Sequence, residues 1–374
     1  MRTARYTLCI LATLTLLQIT ASIVCNKEQS PLVWTGGIFH WPCPITKSLF
    51  QSSGRYIAKN VIATRAQMHD DVAFLALPRF KSGIPATLAK VSLKAPTCQA
   101  VLEPYPCWSL QEEGNCNALQ SVVDIFLDSN EVLWVLDVGI TKFLEEPIRR
   151  CPPKVVGIDI KTGKIAKVID LSPLVCPASR LQYLVVDYSP DGNCFLYISD
   201  AATRSILVFN ISTGRGFRVV LPLAVALGSS IRDVLYIALV VRSSGVYLYF
   251  TYLSGKHMFA IKVEFLRSGS CAGKILDIGL KHDRMVILGT DNGSAIFFRL
   301  EGRPEVYRWD TNKGMKVENF DVVHSGSECF LATHALADYK HGRMRILESN
   351  FPDYIQNKVG CGAVQYLIVM QTCR

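Results

Sequence analysis

The sequence lacks the patterns that mark several common protein classes. Beyond the N-terminus it has no run of about 18 uncharged apolar residues, so no membrane-spanning helix is predicted. It has no Cys-x2-Cys or His-x3-His pair, so its thirteen cysteines favour disulfides over a metal site. The net charge is +9, but no Lys/Arg block contains interleaved aromatic residues, and nucleic acid is therefore not an expected partner.

The N-terminus has the order of features that is typical of a secretory signal. Two arginines precede a short apolar run at residues 8–17, and small residues follow. The sequence predicts a signal peptide over residues 1–25, with cleavage near Ala21, Val24 or Cys25, and a secreted chain. The alternative is a buried N-terminal strand or helix. An oxidising compartment suits the many cysteines.

Two N-glycosylation acceptors fit the same compartment. They are Asn210-Ile211-Ser212 and Asn292-Gly293-Ser294. Such short motifs also occur by chance, so each is a prediction that supports secretion only weakly.

The rest of the chain repeats short apolar runs that are separated by polar turns. Helical periodicity is nearly absent, and Gly, Asp, Asn and Ser cluster between the runs. Six units are predicted, with central turns near residues 70, 129, 191, 244, 283 and 326. Their spacing of about 40 to 60 residues is the size of a four-stranded propeller blade with its loops.

These repeats predict an all-β fold, a six-bladed β-propeller formed by one domain over residues 26–374. A radial arrangement covers the apolar faces of six sheets and leaves few free edges. Leu32–Trp41 lies outside the six units, and either this segment or Ala363–Met370 is expected to supply the strand that closes the ring. A two-domain β-sandwich is the alternative architecture.

Several stretches of the sequence are weak signals individually but form a specific pattern when they are taken together and in this order. They are Tyr56–Arg65, Ala76–Arg79, Gly83–Leu88, Pro104–Trp108, Leu119–Val122, Leu133–Gly139, Cys151–Lys154 and Tyr197–Phe209. Through them the chain resembles the insect yellow / major royal jelly protein family over about residues 54–347. Within that family it looks most like the yellow-g branch, through His40–Pro44 and Gln111–Cys116.

The resemblance implies a secreted six-bladed propeller that works in cuticle, eggshell or saliva, and for this branch in eggshell formation. It also implies a disulfide between Cys116 and Cys151, which match the bridge of the family's blade insertion. Such a bridge closes a loop of about 35 residues and contributes roughly 3–4 kcal/mol on the chain-entropy estimate. Cys107 stands where many relatives have Ser.

The residues themselves show no catalytic constellation. There is no Gly-x-Ser-x-Gly elbow and no phosphate-binding loop. Asp124, Asp187 and Asp233 lie on or beside the first strand of their units, which lines the channel of a propeller. Carboxylates there are candidates for binding an amine or a cation. The alternative is that they cap turns and strand-end amides.

The last unit departs from the family pattern Leu-Trp-x-Leu-Ser-Asn-Arg. Here Thr333 keeps a hydroxyl, His334 replaces the Asn and Ala335 replaces the Arg. This departure weakens the expectation of amine binding through Thr333 and His334. It also makes His334 the candidate catalytic acid or base. The alternative is an ordinary hydrogen-bonded histidine at a strand end.

The sequence therefore favours a protein without clear catalysis that helps to build or harden an insect extracellular matrix, most of all eggshell. The first alternative is a melanin-pathway enzyme that converts dopachrome, and the second is a biogenic-amine binder. The expected partners are matrix proteins or a small catechol or amine ligand. Neither a cofactor nor a metal is expected.

Overall fold

A computed structural model describes residues 31–94, 100–230, 232–269, 272–327, 329–360 and 362–370. The signal peptide predicted over residues 1–25 and six of the thirteen cysteines lie outside these ranges. In the part of the chain that the structure describes, no helix has the length and apolar character needed to cross a membrane.

Among the described residues up to position 220 there are fifteen strands. They are β1 (Leu32–Thr35), β2 (Arg65–His69), β3 (Val72–Ala76), β4 (Leu88–Ser92), β5 (Glu103–Pro104), β6 (Val122–Leu127), β7 (Val132–Asp137), β8 (Ile140–Thr141), β9 (Ile148–Arg149), β10 (Lys154–Asp159), β11 (Ile165–Asp170), β12 (Leu181–Tyr188), β13 (Cys194–Asp200), β14 (Ser205–Asn210) and β15 (Arg215–Val220).

The described residues after position 220 add eleven strands, and the described ranges as a whole contain three short α-helices. The strands are β16 (Leu235–Arg242), β17 (Gly245–Tyr252), β18 (His257–Lys262), β19 (Leu276–Leu280), β20 (Met285–Thr290), β21 (Ala295–Leu300), β22 (Glu305–Asp310), β23 (Phe320–Ser325), β24 (Leu331–Asp338), β25 (Arg343–Ser349) and β26 (Val364–Val369). The helices are α1 (Pro44–Ser52), α2 (Val263–Arg267) and α3 (Phe351–Ile355).

Six antiparallel four-stranded sheets form the predicted six-bladed propeller. From the channel outwards, blade 1 is β2-β3-β4-β5, blade 2 is β6-β7-β10-β11, blade 3 is β12 to β15, blade 4 is β16 to β19, blade 5 is β20 to β23, and blade 6 is β24-β25-β26-β1. The six innermost strands contact one another in a closed ring. The channel is therefore lined by the first strand of every blade.

Burial follows the position of each strand within its blade. Every residue of β13, a second strand, is buried, because neighbouring blades cover both of its faces. In β11, an outermost strand, only Ile169 is buried. Large aromatic residues fill the space between blades, as where Trp309 of blade 5 packs edge-on against Tyr249 of blade 4.

Both segments that the sequence offered for closing the ring take part in it. β26 is the third strand of blade 6, and β1 adds the fourth strand by antiparallel pairing, with Leu32 opposite Leu367 and Thr35 opposite Val364. The first described strand thus completes the last blade. Such a closure leaves no free edge between the two ends of the ring.

The predicted central turns near residues 283 and 326 are wrong by one strand. The residues before them form β19 and β23, the outermost strands of blades 4 and 5, so these two turns connect blades. The hairpins of blades 5 and 6 lie instead at residues 291–294 and 339–342. The turns near 70, 129, 191 and 244 are confirmed, because β2-β3, β6-β7, β12-β13 and β16-β17 join there.

The bridge between Cys116 and Cys151 is present, with an S–S distance of 2.02 Å and a sequence separation of 35. It connects the segment before β6 to the segment before β10 in blade 2. The β8-β9 hairpin lies in the insertion between β7 and β10.

Arg79 joins blade 1 to blade 2 from a fully buried position. Its guanidinium donates to the carbonyl oxygens of Ile84 at 2.9 Å, Leu119 at 2.8 Å and Gln120 at 2.6 Å, and also to those of Pro85 and Gln111. Burial lowers the pKa of Arg79 to about 10. One side chain therefore satisfies carbonyl groups that neither blade pairs internally.

Candidate functional site

The inner strands enclose a central cavity of about 970 Å³ to which all six blades contribute. Its lining extends from the first residues of these strands, such as Arg65 and Asp124, to the turns that follow them, such as Ser129 and Asn292. The first group forms the inner end of the cavity and the turns form its mouth. A volume of this size is typical of small-molecule sites.

Arg65 organises the inner end. Its Nε lies 3.5 Å from Asp124 Oδ1 of blade 2, and its Nη1 donates to the carbonyl oxygen of Thr333 in blade 6. The guanidinium also lies over the Tyr183 ring of blade 3, 4.7 Å from its centroid, and Tyr183 stacks on Tyr236 of blade 4 at 5.1 Å. One arginine thus connects groups from four other blades, namely a backbone carbonyl of blade 6 and side chains of blades 2, 3 and 4, directly or through a stacked ring.

Asp124 is 6% exposed and faces three sets of donors. Its Oδ1 accepts from the N–H of Ile125 at 2.9 Å, and its Oδ2 accepts from the N–H of Leu184 in the next blade at 2.8 Å. Burial raises the pKa of Asp124 to about 6, although Arg65 and these N–H groups act in the opposite direction. The carboxyl group therefore titrates close to neutral pH.

His334 is neutral and has a defined tautomer. Its Nδ1 accepts from the N–H of Ala66 in blade 1 at 3.1 Å, so its hydrogen is on Nε2. Burial, and then the charge of Arg65, hold the pKa of His334 well below its usual range, although the bond from Ala66 acts in the opposite direction. In this state the ring presents a hydrogen-bond donor, which suits polarisation of a ligand oxygen better than the proton transfer of a general acid or base.

Thr333 does not present its hydroxyl to the cavity. Its Oγ1 donates to the carbonyl oxygen of Leu347 at 3.3 Å, and its contribution to the site is the carbonyl group that accepts from Arg65. The Thr333 hydroxyl, which the sequence analysis proposed for ligand binding, therefore makes a hydrogen bond within blade 6.

The other two aspartates differ from Asp124. Asp187 lines the cavity, but its carboxylate is paired with Arg267 and lies 3.4 Å from the Tyr197 hydroxyl. Asp233 is absent from the lining, and its carboxylate accepts from the N–H groups of Val234 at 2.8 Å and Ser254 at 3.1 Å. Asp233 thus caps strand-end amides, which was the alternative considered for all three.

Arg65, Tyr183 and Tyr236 are site residues that the sequence analysis missed. Arg65 ends the family-like stretch Tyr56–Arg65 and begins the first inner strand, which was the available signal. The tyrosines occupy equivalent early positions in two inner strands. The ring and the cation that surround Asp124 come from other blades, so no local pattern around Asp124 indicates them.

The two predicted glycosylation acceptors lie on different parts of the molecule. Asn210 ends β14, the third strand of blade 3, and its Oδ1 accepts from the N–H of Thr213 at 3.0 Å. Asn292 is exposed in the turn between β20 and β21 and lines the mouth of the cavity.

Solved structures with a related shape are remote in sequence. A streptogramin B lyase structure matches 83% of this chain and 94% of its own, with a TM-score of 0.42 at 12% identity. A calcium-binding regucalcin from Agrobacterium tumefaciens matches 83% of this chain and 90% of its own, with a TM-score of 0.47 at 14% identity.

Curated relatives come from insects. Dopaminechrome tautomerase of Drosophila melanogaster is 27% identical over 172 residues, major royal jelly protein 9 of Apis mellifera is 30% identical over 163 residues, and protein yellow of Drosophila melanogaster is 25% identical over 204 residues. These matches cover 45%, 42% and 54% of this chain. They span only 37%, 37% and 38% of the relatives' own lengths.

A family model extends the likeness over most of the propeller. The model described as major royal jelly protein matches residues 120–374, which is more than half of the chain and includes blades 2 to 5 and three of the four strands of blade 6. With relatives named yellow and major royal jelly protein beside it, this match shows that the chain belongs to the yellow / major royal jelly protein family.

Proposed function

We propose that the protein is secreted, acts in forming or hardening an insect extracellular matrix such as eggshell, and binds a small catechol-derived ring compound in its channel. The observation that carries the channel proposal is the inner end itself. There a carboxyl group, a guanidinium, two stacked tyrosines and an imidazole N–H converge in one cavity. The likeness to the yellow-g branch supports the eggshell setting.

The chemistry of the inner end fits a planar ligand that carries both oxygen and nitrogen. The Nε2–H of His334 donates to an oxygen atom of such a ligand, while Asp124 accepts from an amine or a ring N–H. Arg65 and Tyr236 cover the faces of the partly exposed Tyr183 ring, so Tyr183 offers its ring edge to an aromatic ligand. The cavity is large enough for a bicyclic compound, so size does not restrict the ligand to a simple amine.

A second function is isomerisation of an aminochrome. It is favoured because Asp124 is able to accept a proton while His334 carries a hydrogen on Nε2. In this reaction protons leave the two saturated ring carbons and return to the two quinone oxygens. The electron pairs of the broken C–H bonds restore the aromatic ring, so no oxidant is consumed. A carboxylate with a pKa of about 6 suits the acceptor role, and a neutral imidazole N–H suits polarisation of a quinone oxygen.

The test is to mix purified mature protein with dopaminechrome and to follow its decay against a heat-denatured control. Saturable decay that Asp124→Asn and His334→Ala both abolish supports isomerisation. If His334→Ala leaves the decay intact, the catalytic assignment of His334 is wrong. Asp321→Asn is the matched control, because this exposed carboxylate lies on β23, at the outer edge of blade 5.

Binding without conversion is measured separately by calorimetry with dopamine and with a 5,6-dihydroxyindole. Binding that requires Asp124 supports the channel proposal even when decay is absent. A folded protein that neither binds nor converts these compounds contradicts the channel proposal and leaves the matrix role alone.

The matrix role has its own structural support. Among the described cysteines, Cys43, Cys107 and Cys329 are exposed and form no disulfide. Exposed thiols in an oxidising compartment are able to join chains covalently. Non-reducing electrophoresis of native matrix is expected to show disulfide-linked multimers, whereas a solely monomeric, freely soluble protein contradicts this role.

A further inference from the structure

Asn292 occupies an unusual place for a glycosylation acceptor, because it lies on the rim of the channel. It is exposed in the turn between β20 and β21, with φ at +58°, a left-handed conformation that Asn tolerates. Its Nδ2 donates to the hydroxyl of Tyr339 in the β24-β25 turn of blade 6. Asn292 and Tyr339 both line the cavity mouth.

We propose that Asn292 carries an N-linked glycan that lies across the channel mouth and restricts the size of the molecules that enter. This inference rests on the proposed secretion, because glycosylation occurs in the secretory pathway. In the reaction Nδ2 attacks C1 of a sugar held by a lipid pyrophosphate. The N–C1 bond forms, the C1–O bond to pyrophosphate breaks, and Nδ2 loses one of its two protons.

The direction of Nδ2 places the first sugar beside blade 6. Glycosylation leaves one hydrogen on Nδ2, so the side chain still has a donor for the Tyr339 hydroxyl. The Tyr339 side chain is 69% exposed, and its ring offers an apolar face to the C–H groups of a sugar. The glycan thus begins between two blades at the mouth instead of projecting from the periphery.

The rim beneath this position is anchored to the next blade. Lys340, the neighbour of Tyr339, donates to Asp71 Oδ2 of blade 1 at 2.7 Å. His341 of the same turn lies 2.8 Å from Asp338 and 3.5 Å from Asp71. A sugar held at Tyr339 is therefore attached to a turn that already connects blade 6 to blade 1.

The other acceptor, Asn210, provides a matched control. It ends the third strand of blade 3 and is absent from the residues that line the cavity. A glycan there leaves the mouth open. Ser212→Ala removes the acceptor motif of Asn210 in the same way that Ser294→Ala removes the acceptor motif of Asn292.

The experiment measures entry into the channel without any catechol. Ala337→Cys places a reporter thiol on β24, where this partly buried residue lines the cavity. The protein is secreted from insect cells, and mass spectrometry of the peptides measures the occupancy of Asn292 and the labelling of residue 337. Two reagents are compared, methyl methanethiosulfonate and the bulkier fluorescein maleimide.

The expected result is a glycan on Asn292 and slow labelling by the bulky reagent. Ser294→Ala, or enzymatic deglycosylation of the folded protein, is expected to raise the bulky reagent's rate about tenfold, a fall of about 1.4 kcal/mol in the barrier to entry. The small reagent should change little, and Ser212→Ala should change neither rate. An unmodified Asn292, or equal rates with and without its glycan, overturns the proposal.

This outcome is separate from that of the proposed channel ligand. Labelling of residue 337 does not depend on whether the inner end binds a catechol. A protein that fails to bind dopamine but shows glycan-dependent labelling retains the rim glycan and loses only the proposed ligand.

Discussion

Replacing Arg65 with Met should destabilise the protein in a manner that depends on pH. The substitution keeps an unbranched side chain but leaves Asp124, which is 6% exposed, without its cation. Removing one partner of a buried ion pair typically costs about 3–5 kcal/mol, because the remaining charge is buried without compensation. The carbonyl oxygen of Thr333 also loses its donor.

The direction of the pH effect follows from the raised pKa of Asp124, which is about 6 in the folded protein. A folded-state pKa above the unfolded value of about 3.9 means that the folded state binds the proton more tightly, so this group's contribution declines between about pH 4 and pH 6. Without Arg65, which lowers that pKa, the decline continues to higher pH. Each additional unit by which the folded-state pKa of Asp124 rises costs about 1.4 kcal/mol of stability at high pH.

At pH 5 the carboxyl group is mostly protonated, and the variant should lose only about 1–3 kcal/mol, through the unpaired carbonyl and lost packing. At pH 8 the loss should reach about 3–5 kcal/mol. Urea unfolding of both proteins at both pH values, followed by tryptophan fluorescence, measures the difference. In an Asp124→Asn background the cost of Arg65→Met should be the same at both pH values. A cost of Arg65→Met that is equal at both pH values when Asp124 is present, or that still depends on pH when Asp124 is replaced by Asn, refutes the reasoning.

Three further predictions concern the fold. Arg79→Met should lower the free energy of unfolding by about 3–5 kcal/mol in urea, because several buried carbonyl groups lose a charged donor; a loss below 1 kcal/mol contradicts this role. Replacing both Cys116 and Cys151 with Ser should cost roughly 3–4 kcal/mol in the same assay under non-reducing conditions, and an unchanged midpoint would exclude a stabilising bridge. Gly289→Ala should lower the melting temperature, because its Cβ would lie 2.1 Å from a carbonyl oxygen of the neighbouring blade, whereas Gly314→Ala, with open space around it, should not.

The fold was largely predictable because each blade repeats the same local chemistry. Apolar runs with Gly and Asp turns fixed the number of blades and four of their first hairpins. Blades 5 and 6 were assigned one strand early because the outermost and innermost strands have similar length and alternation. The sequences Asp291-Asn292-Gly293 and His341-Gly342 are typical of hairpin turns and mark the first hairpins of blades 5 and 6. They identify these hairpins only when they are compared with the turns that connect one blade to the next.

The site was less predictable because it depends on where six strands meet. Asp124 and Asp233 have the same charge and both accept backbone N–H groups, but Asp124 lies on β6 and lines the channel, whereas Asp233 precedes β16 and does not line it. A shift of one residue reverses the face of a strand, so sequence position alone does not decide which carboxylate is available. The partner of Asp124 comes from a strand 59 positions earlier, and no local pattern connects them.

The closure of blade 6 also determines how late in synthesis the fold can be completed. Thr35 of β1 pairs with Val364 of β26, so about 330 residues are synthesised between them, which takes roughly 20–70 s at typical rates of translation. During that interval Trp34, fully buried in the finished protein, belongs to a strand without its partner. A nascent chain of this kind presents an unpaired apolar strand until its last blade exists, so successful folding depends on keeping that strand from pairing with another chain.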